Sequence, residues 1–298
     1  MQSIGIFTAP YKSSALNLTR QLVALADQYG VKARLQFAAA AAMDRKELGR
    51  PDEEVASADA LITLSGDGGV LTAARAAAPF ETPILAVNLG RLGFLSAIPP
   101  SDIARAFPML IGGEFVSESR LMLEATLLRR RHNGDPADRV EVGGSLGLND
   151  AVVAKSALAR ILRLTIEING DLVAEMRADG LVIATATGST AYALAAGGPI
   201  VHPSVGSLLI CPICAHSLTQ RPLVVGHDET IEVHAEWEGD EVASSELETM
   251  LTIDGQIGFS LQSGDLVRVR RSPSVARLLR LPDESFYDRL REKMRWGR

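Results

Sequence analysis

The sequence predicts an α/β domain over residues 1–120 and a mainly β domain over residues 121–271. In the first part, strand-like apolar runs alternate with helix-period stretches, the pattern of a parallel, Rossmann-like sheet. In the second, short alternating runs are separated by Asn-Gly and Asp-Gly, which is hairpin chemistry. With 298 residues the chain is long enough for two domains, each able to bury a core without disulfides.

The elements follow in order. Residues 3–8 form a short apolar run, and 14–29 carry Leu18, Leu22, Leu25 and Ala26 at helical spacing until Gly30 ends the helix. Residues 60–64 read as a buried strand, Ser65-Gly66-Asp67-Gly68-Gly69 as a glycine-rich turn, and 70–78 as a helix closed by Pro79. Residues 83–87 supply another strand and lead into the glycine-punctuated loop 88–95. Beyond Arg120, strands are expected at 151–153, 162–168, 230–237, 250–253 and 266–269, with one helical segment near 190–196. Asn169-Gly170 and Asp254-Gly255 are the expected hairpin turns. Residues 283–296 read as a helix, with Phe286, Leu290 and Met294 at fourfold spacing and a basic opposite face. There is no internal repeat and no low-complexity linker.

Composition excludes several classes. Apolar residues make up 47% of the chain, yet no run approaches the ~18 uninterrupted apolar residues a membrane span needs. Thirty Lys and Arg against 36 Asp and Glu leave a net charge of −6, which argues against a broad nucleic-acid surface. The first residues lack a basic lead and a long apolar run, so a cytoplasmic location is expected. Two cysteines agree with a reducing compartment.

Three segments could carry chemistry. Gly66-Asp67-Gly68 lies between a strand and a helix, where glycines let the backbone approach a ligand and helix-start amides attract phosphate. Asp67 reads two ways there: as a helix cap, or as a carboxylate that holds Mg²⁺ or takes a proton from a substrate hydroxyl during phosphoryl transfer. The segment Arg177-Ala178-Asp179-Gly180, a strand, and then Thr187-Gly188-Ser189-Thr190-Ala191-Tyr192 crowds hydroxyls and amides at a helix start. That suits a polar ligand, or simply a Ser/Thr cap with Tyr192 in the core. Asn149-Asp150 offers groups for ribose hydroxyls, although a plain turn is the stronger reading of that pair taken alone. Cys211-Pro212-Ile213-Cys214 has metal-site spacing without a second pair, and its strand-like setting favours packing. His132, His202, His216, His227 and His234 show no ligand spacing, so no metal site built from protein side chains is expected.

Taken in order, these segments resemble the NAD kinase family, whose members phosphorylate the adenosine-ribose 2′-hydroxyl of NAD. The resemblance rests on Gly66-Asp67-Gly68, the loop Asn88-Leu89-Gly90-Arg91-Leu92-Gly93-Phe94-Leu95, Leu148-Asn149-Asp150, Arg177-Ala178-Asp179-Gly180, Thr187 to Tyr192 with Gly197-Gly198-Pro199-Ile200, Arg221-Pro222-Leu223 and Asp254-Gly255-Gln256. It implies that the second domain is a β-sandwich and that a tail over residues 272–298 returns to the first. It implies that Asp67 is the general base, with Gly68 beside the ligand. Asn149, Asp150, Arg160, Arg177, Asp179, Thr187, Thr190, Ala191, Tyr192 and Gln256 would contact NAD, and Arg177 is similar to members that prefer NAD over NADH. ATP with Mg²⁺ or another divalent cation would be the co-substrate, and the chain would work as a homodimer or homotetramer with NAD sites at subunit interfaces. A lipid or sugar kinase with a Gly-Asp-Gly loop would explain Asp67 but not Asn149-Asp150 or residues 187–192; an NAD-binding sensor without turnover is the non-enzymatic alternative. The chain departs from the family loop, which usually reads Gly-Gly-Asp-Gly followed by a hydroxyl residue or Asn: here Ser65 precedes and Gly69 follows. Ala186 stands where a proline is usual, and Asp150, in place of Glu, is expected to keep the charge on a shorter arm.

Overall fold

A computed structural model of the chain describes residues 1–90, 93–131, 138–155, 161–217, 219–237 and 249–295. The chain divides into two compact units, Met1–Arg120 with the stretch from Ser274 onward, and Leu121–Pro273.

The first unit runs β1 (Ser3–Thr8), α1 (Ser13–Gln28), β2 (Lys32–Gln36), α2 (Phe37–Ala42), β3 (Gly49–Arg50), α3 (Asp52–Ala56), β4 (Ala60–Ser65), α4 (Asp67–Ala77), β5 (Pro83–Asn88) and α5 (Ile103–Gly112). Its strands are parallel in the order β5-β4-β1-β2-β3. The central strands are buried on both faces, because helices cover both sides of the sheet, so they read as unbroken apolar runs. Ile4, Ile6, Ile62, Leu64, Leu85 and Val87 form one face with Leu18, Leu22 and Ala26 of α1 and Phe107 and Leu110 of α5. Alternate residues point the other way, Gly5 toward Val55 of α3 and Ser65 toward Gly69 of α4. Residues 31–59, to which periodicity gives no assignment, hold two short strands and two short helices.

The second unit holds most of β6 (Val116–Arg130), then β7 (Arg139–Gly147), β8 (Asp150–Lys155), β9 (Leu162–Ile168), β10 (Asp171–Ala178), β11 (Gly180–Thr185), α6 (Tyr192–Ala195), β12 (Ser207–Ile213), β13 (Leu223–Gly226), β14 (Ile231–Glu236), β15 (Thr249–Ile253), β16 (Ile257–Leu261) and the first part of β17 (Asp265–Arg280). One sheet pairs β10-β9-β14-β17 and adds β6 and β7; the other runs β13-β12-β11-β8-β15-β16. Leu164, Ile166, Val233 and Val267 from the first sheet share a core with Val153, Leu181, Ile183 and Leu251 from the second. The unit is therefore two sheets packed face to face. Asn169 and Gly170, and Asp254 and Gly255, all take positive φ between paired antiparallel strands, the hairpin geometry their residue types demand.

The end of β17 pairs in parallel with β5, Leu278 opposite Ile84, so the tail belongs to the first unit. It ends in α7 (Phe286–Met294), which starts with a reciprocal cap between Ser285 and Asp288. Phe286 and Leu290 are half-buried there and Met294 is exposed.

Two expectations need correction. The helix expected from Val70 starts at Asp67, because the Gly69 and Val70 amides donate to the Gly66 carbonyl and close the first turn earlier. The helical segment near 190–196 is a 3₁₀ turn, Thr187–Thr190, followed by the four-residue α6. Among the described residues, no helix is long and apolar enough to cross a membrane.

Candidate active site

In the first unit, β4 delivers the chain through Gly66 into α4, which places Asp67 at the first helical position. Asp67 does not cap its own helix. Its carboxylate instead accepts hydrogen bonds from the amides of Phe94 (2.9 Å) and Leu95 (3.3 Å), with the Ser96 hydroxyl at 3.5 Å. Gly93 passes so close beneath this carboxylate that a Cβ at position 93 would overlap it. The loop is braced in turn from the tail: Arg289 donates to the Phe94 carbonyl at 3.0 Å, and the Lys293 ammonium lies 5.6 Å from the Phe94 ring centroid. Sequence reasoning quoted Gly93 and Phe94 only as part of a motif. Their role depends on a contact between residues 26 positions or more apart, which no local pattern reveals.

Beside Asp67, a cavity of about 430 Å³ opens at the ends of β1 and β4. Such a place, outside the carboxyl ends of parallel strands, is where open α/β sheets bind ligands. Lys12, Thr63, Ser65, Gly66, Gly68 and Gly69 line it, together with Thr8, whose buried hydroxyl has no hydrogen-bond partner among the described residues. A cation and hydroxyls are groups that hold phosphate.

In the second unit, three sequence-distant motifs meet. The Asp254 carboxylate accepts the amides of Leu148 (3.0 Å), Asn149 (2.7 Å) and Asp150 (3.2 Å), while the Asp254 amide donates to the Asp150 carbonyl. Thr185 donates its amide to the Asn149 carbonyl at 2.8 Å and its hydroxyl to the Leu148 carbonyl at 2.6 Å. Gly188 then lies against the Asn149 carbonyl, where a side chain has no room. Asn149, Asp150, Thr185, Gly188 and the turn carrying Gln256 are thereby joined in one network. Asp254, which sequence reasoning treats as a hairpin residue, is its hub.

The Asp150 carboxyl is buried, 5% exposed, and burial, reinforced by Asp254, pushes it up to about 7. It therefore sits near its midpoint at neutral pH, which revises the expectation that Asp at this place keeps its charge.

Several hydroxyls of 187–192 are spent inside the turn. Ser189 donates to the Ala186 carbonyl at 2.7 Å and accepts from the Val201 amide at 3.0 Å, and Thr190 donates to the Thr187 carbonyl at 3.3 Å. Ala191 links that turn to α6, and Tyr192 is 45% exposed, which removes the core reading of its ring. Asp179 stands at the other end of the β8–β11 ladder from Asp150, about 17 Å away along the strands, and pairs with the Lys155 ammonium at 3.3 Å. Arg177 is exposed on β10 and lines a separate open cavity of about 610 Å³ with Arg130, Arg163 and Trp237. Arg160 lies outside the described residues. Cys211 is buried in a small core with Val182 and Leu209, and burial pushes its thiol up to about 11, while Cys214 is exposed. Among the described residues, no group of three or more His, Cys, Asp and Glu side chains converges.

Comparison with known proteins agrees with this layout. Residues 4–115 match the family model of the ATP-NAD kinase N-terminal domain and residues 148–281 that of the ATP-NAD kinase C-terminal domain. An NAD kinase of Symbiobacterium thermophilum is 39% identical over 95% of both chains. One of Carboxydothermus hydrogenoformans is 41% identical over 84% of both. Among solved structures, a yeast NADH kinase complexed with NADH has the same fold, with a TM-score of 0.85 at 24% identity over 100% of this chain and 88% of that one. An Archaeoglobus fulgidus NAD kinase in complex with ATP gives 0.73 at 22% identity over 99% of both. Both halves of the sequence and its whole length thus carry one signature, and the chain belongs to the NAD kinase family.

Proposed function

We propose that this chain transfers the γ-phosphoryl group of ATP to the adenosine-ribose 2′-hydroxyl of NAD, giving NADP and ADP, with Asp67 as general base. One observation carries the reading: the Asp67 carboxylate is held by the loop 93–96 rather than by its own helix. A carboxylate offers about four lone-pair positions, so with these donors in place one still accepts a substrate hydroxyl. The 2′-hydroxyl proton passes to Asp67, the oxygen forms its bond to the γ-phosphorus, and the bond to the β-phosphate oxygen breaks.

The cavity with Lys12, Ser65, Gly68 and Gly69 suits the donor phosphates. Asn149 and Asp150 suit ribose hydroxyls, with Thr187, Thr190, Ala191, Tyr192 and Gln256 around the dinucleotide and Asp179 and Arg177 of a second copy toward its nicotinamide end. Mg²⁺ that arrives on ATP brings phosphate and water oxygens as its ligands, so it would fit here without a position on Asp67 beyond the one the substrate hydroxyl takes. When bound, it neutralises charge on the transferring phosphoryl group. Placement of Asp179 and Asp150 at opposite ends of one ladder supports a homo-oligomer in which each end serves a different NAD site. Light scattering of the purified protein then gives a dimer or tetramer mass.

Incubation with ATP, Mg²⁺ and NAD, reading NADP, tests the activity. NADP formation is expected; NAD binding without product, or neither, overturns the proposal.

A further inference from the structure

We infer that Ser65 supplies the phosphate-facing hydroxyl of the glycine loop, a role that Gly69 makes possible by leaving its own side-chain volume empty. The inference rests on the kinase reading above and names a donor-positioning residue in the same site.

Ser65 is the last residue of β4 and Gly69 lies in the first turn of α4. A Cβ at position 69 would overlap the Cβ and Oγ of Ser65 and reach Thr63 Oγ1 at 3.7 Å. The two positions therefore compete for one volume, and only one can carry a side chain. Ser65 holds it here, half-buried on the cavity wall beside Gly66, Gly68 and Gly69.

The hydroxyl count fits donation. Ser65 Oγ and Thr63 Oγ1 are 3.0 Å apart, and Thr63 is 1% exposed. One shared proton satisfies that bond. With Thr63 as donor, the Ser65 hydrogen is left for an oxygen in the cavity, and a dianionic or more highly charged phosphate is the acceptor that gains most from it.

Four proteins test this: the wild type, Ser65→Ala, Gly69→Ser and the double variant S65G/G69S. Ser65→Ala keeps the Cβ, so the fold is retained while the hydroxyl is lost. It is expected to lower kcat/KM for ATP about tenfold or more while the Kd for NAD stays within about twofold. Gly69→Ser forces two side chains into one volume and is expected to lower both kcat/KM and Tm. The double variant restores a single hydroxyl and is expected to recover both to within about threefold of the wild-type rate and near the wild-type Tm. Full kcat/KM for ATP in Ser65→Ala overturns the hydroxyl role. A double variant no better than Gly69→Ser overturns the exchange of volumes. A folded wild type that makes no NADP overturns the kinase reading and this inference together, whereas an active wild type with a failed exchange overturns this inference alone.

Discussion

Gly93 lies directly beneath the Asp67 carboxylate, with no room between them for a methyl group. The backbone at Gly93 has ordinary φ, so alanine there would act through Asp67 and not through backbone strain. Gly93→Ala is expected to turn the carboxylate away and reduce kcat by about tenfold or more, since a general base depends on its position. NAD affinity and Tm change little. Steady-state kinetics beside a thermal melt check this.

Arg289 holds the same loop from the tail, through the Phe94 carbonyl whose residue's amide binds Asp67. Arg289→Ala is expected to lower kcat by about three- to tenfold with KM for NAD unchanged, because the base is loosened and not removed. Arg289→Lys should recover part of the loss. An unchanged kcat in Arg289→Ala would detach the tail from the chemistry.

Asp150 makes stability depend on pH in a definite direction. Its folded carboxyl holds a proton up to about 7, whereas the unfolded one loses it near pH 4. Between those values the folded state binds more protons, so stability falls as pH rises and levels off above pH 7. The loss amounts to about 4 kcal/mol as an upper figure. Asp150→Asn lacks this loss, so its Tm relative to wild type should climb between pH 4 and 7 and stay constant above. A difference that does not vary with pH would contradict the raised value.

Asp254 binds the three amides of residues 148–150. Asp254→Ala leaves them without that acceptor and is expected to cost about 2–4 kcal/mol in denaturant unfolding, together with weaker NAD binding. Asp254→Asn retains one acceptor oxygen and should lose less. It also removes the charge that helps raise Asp150, so the midpoint of the pH effect should move down.

What the sequence made legible follows from how local each signal is. The strand read over 60–64, the helix read over 14–29 and the turns at Asn169-Gly170 and Asp254-Gly255 rest on period and turn chemistry, and they appear as Ala60–Ser65, Ser13–Gln28 and positive-φ hairpins. Residues 31–59 gave no reading because the Ala-rich α2 has no apolar period and β3 is only two residues long. The start of α4 lies three residues before the one that propensity indicates, since glycines look like loop while hydrogen bonds to Gly66 close the turn. The candidate site divides similarly. Asp67 and Asn149-Asp150 stand out as motifs, but the Gly93 floor, the Asp254 hub and the burial that raises Asp150 are contacts between distant segments.

Asp67 is the residue on which the proposed phosphoryl transfer depends most directly. The decisive measurement is NADP formation by Asp67→Asn beside wild type, with NAD binding measured on both. Asparagine keeps the shape and one acceptor oxygen but takes up a substrate proton far less readily. Normal NAD affinity with a fall in kcat of about a hundredfold or more is the expected result. Normal affinity with full turnover would show that Asp67 is not the base.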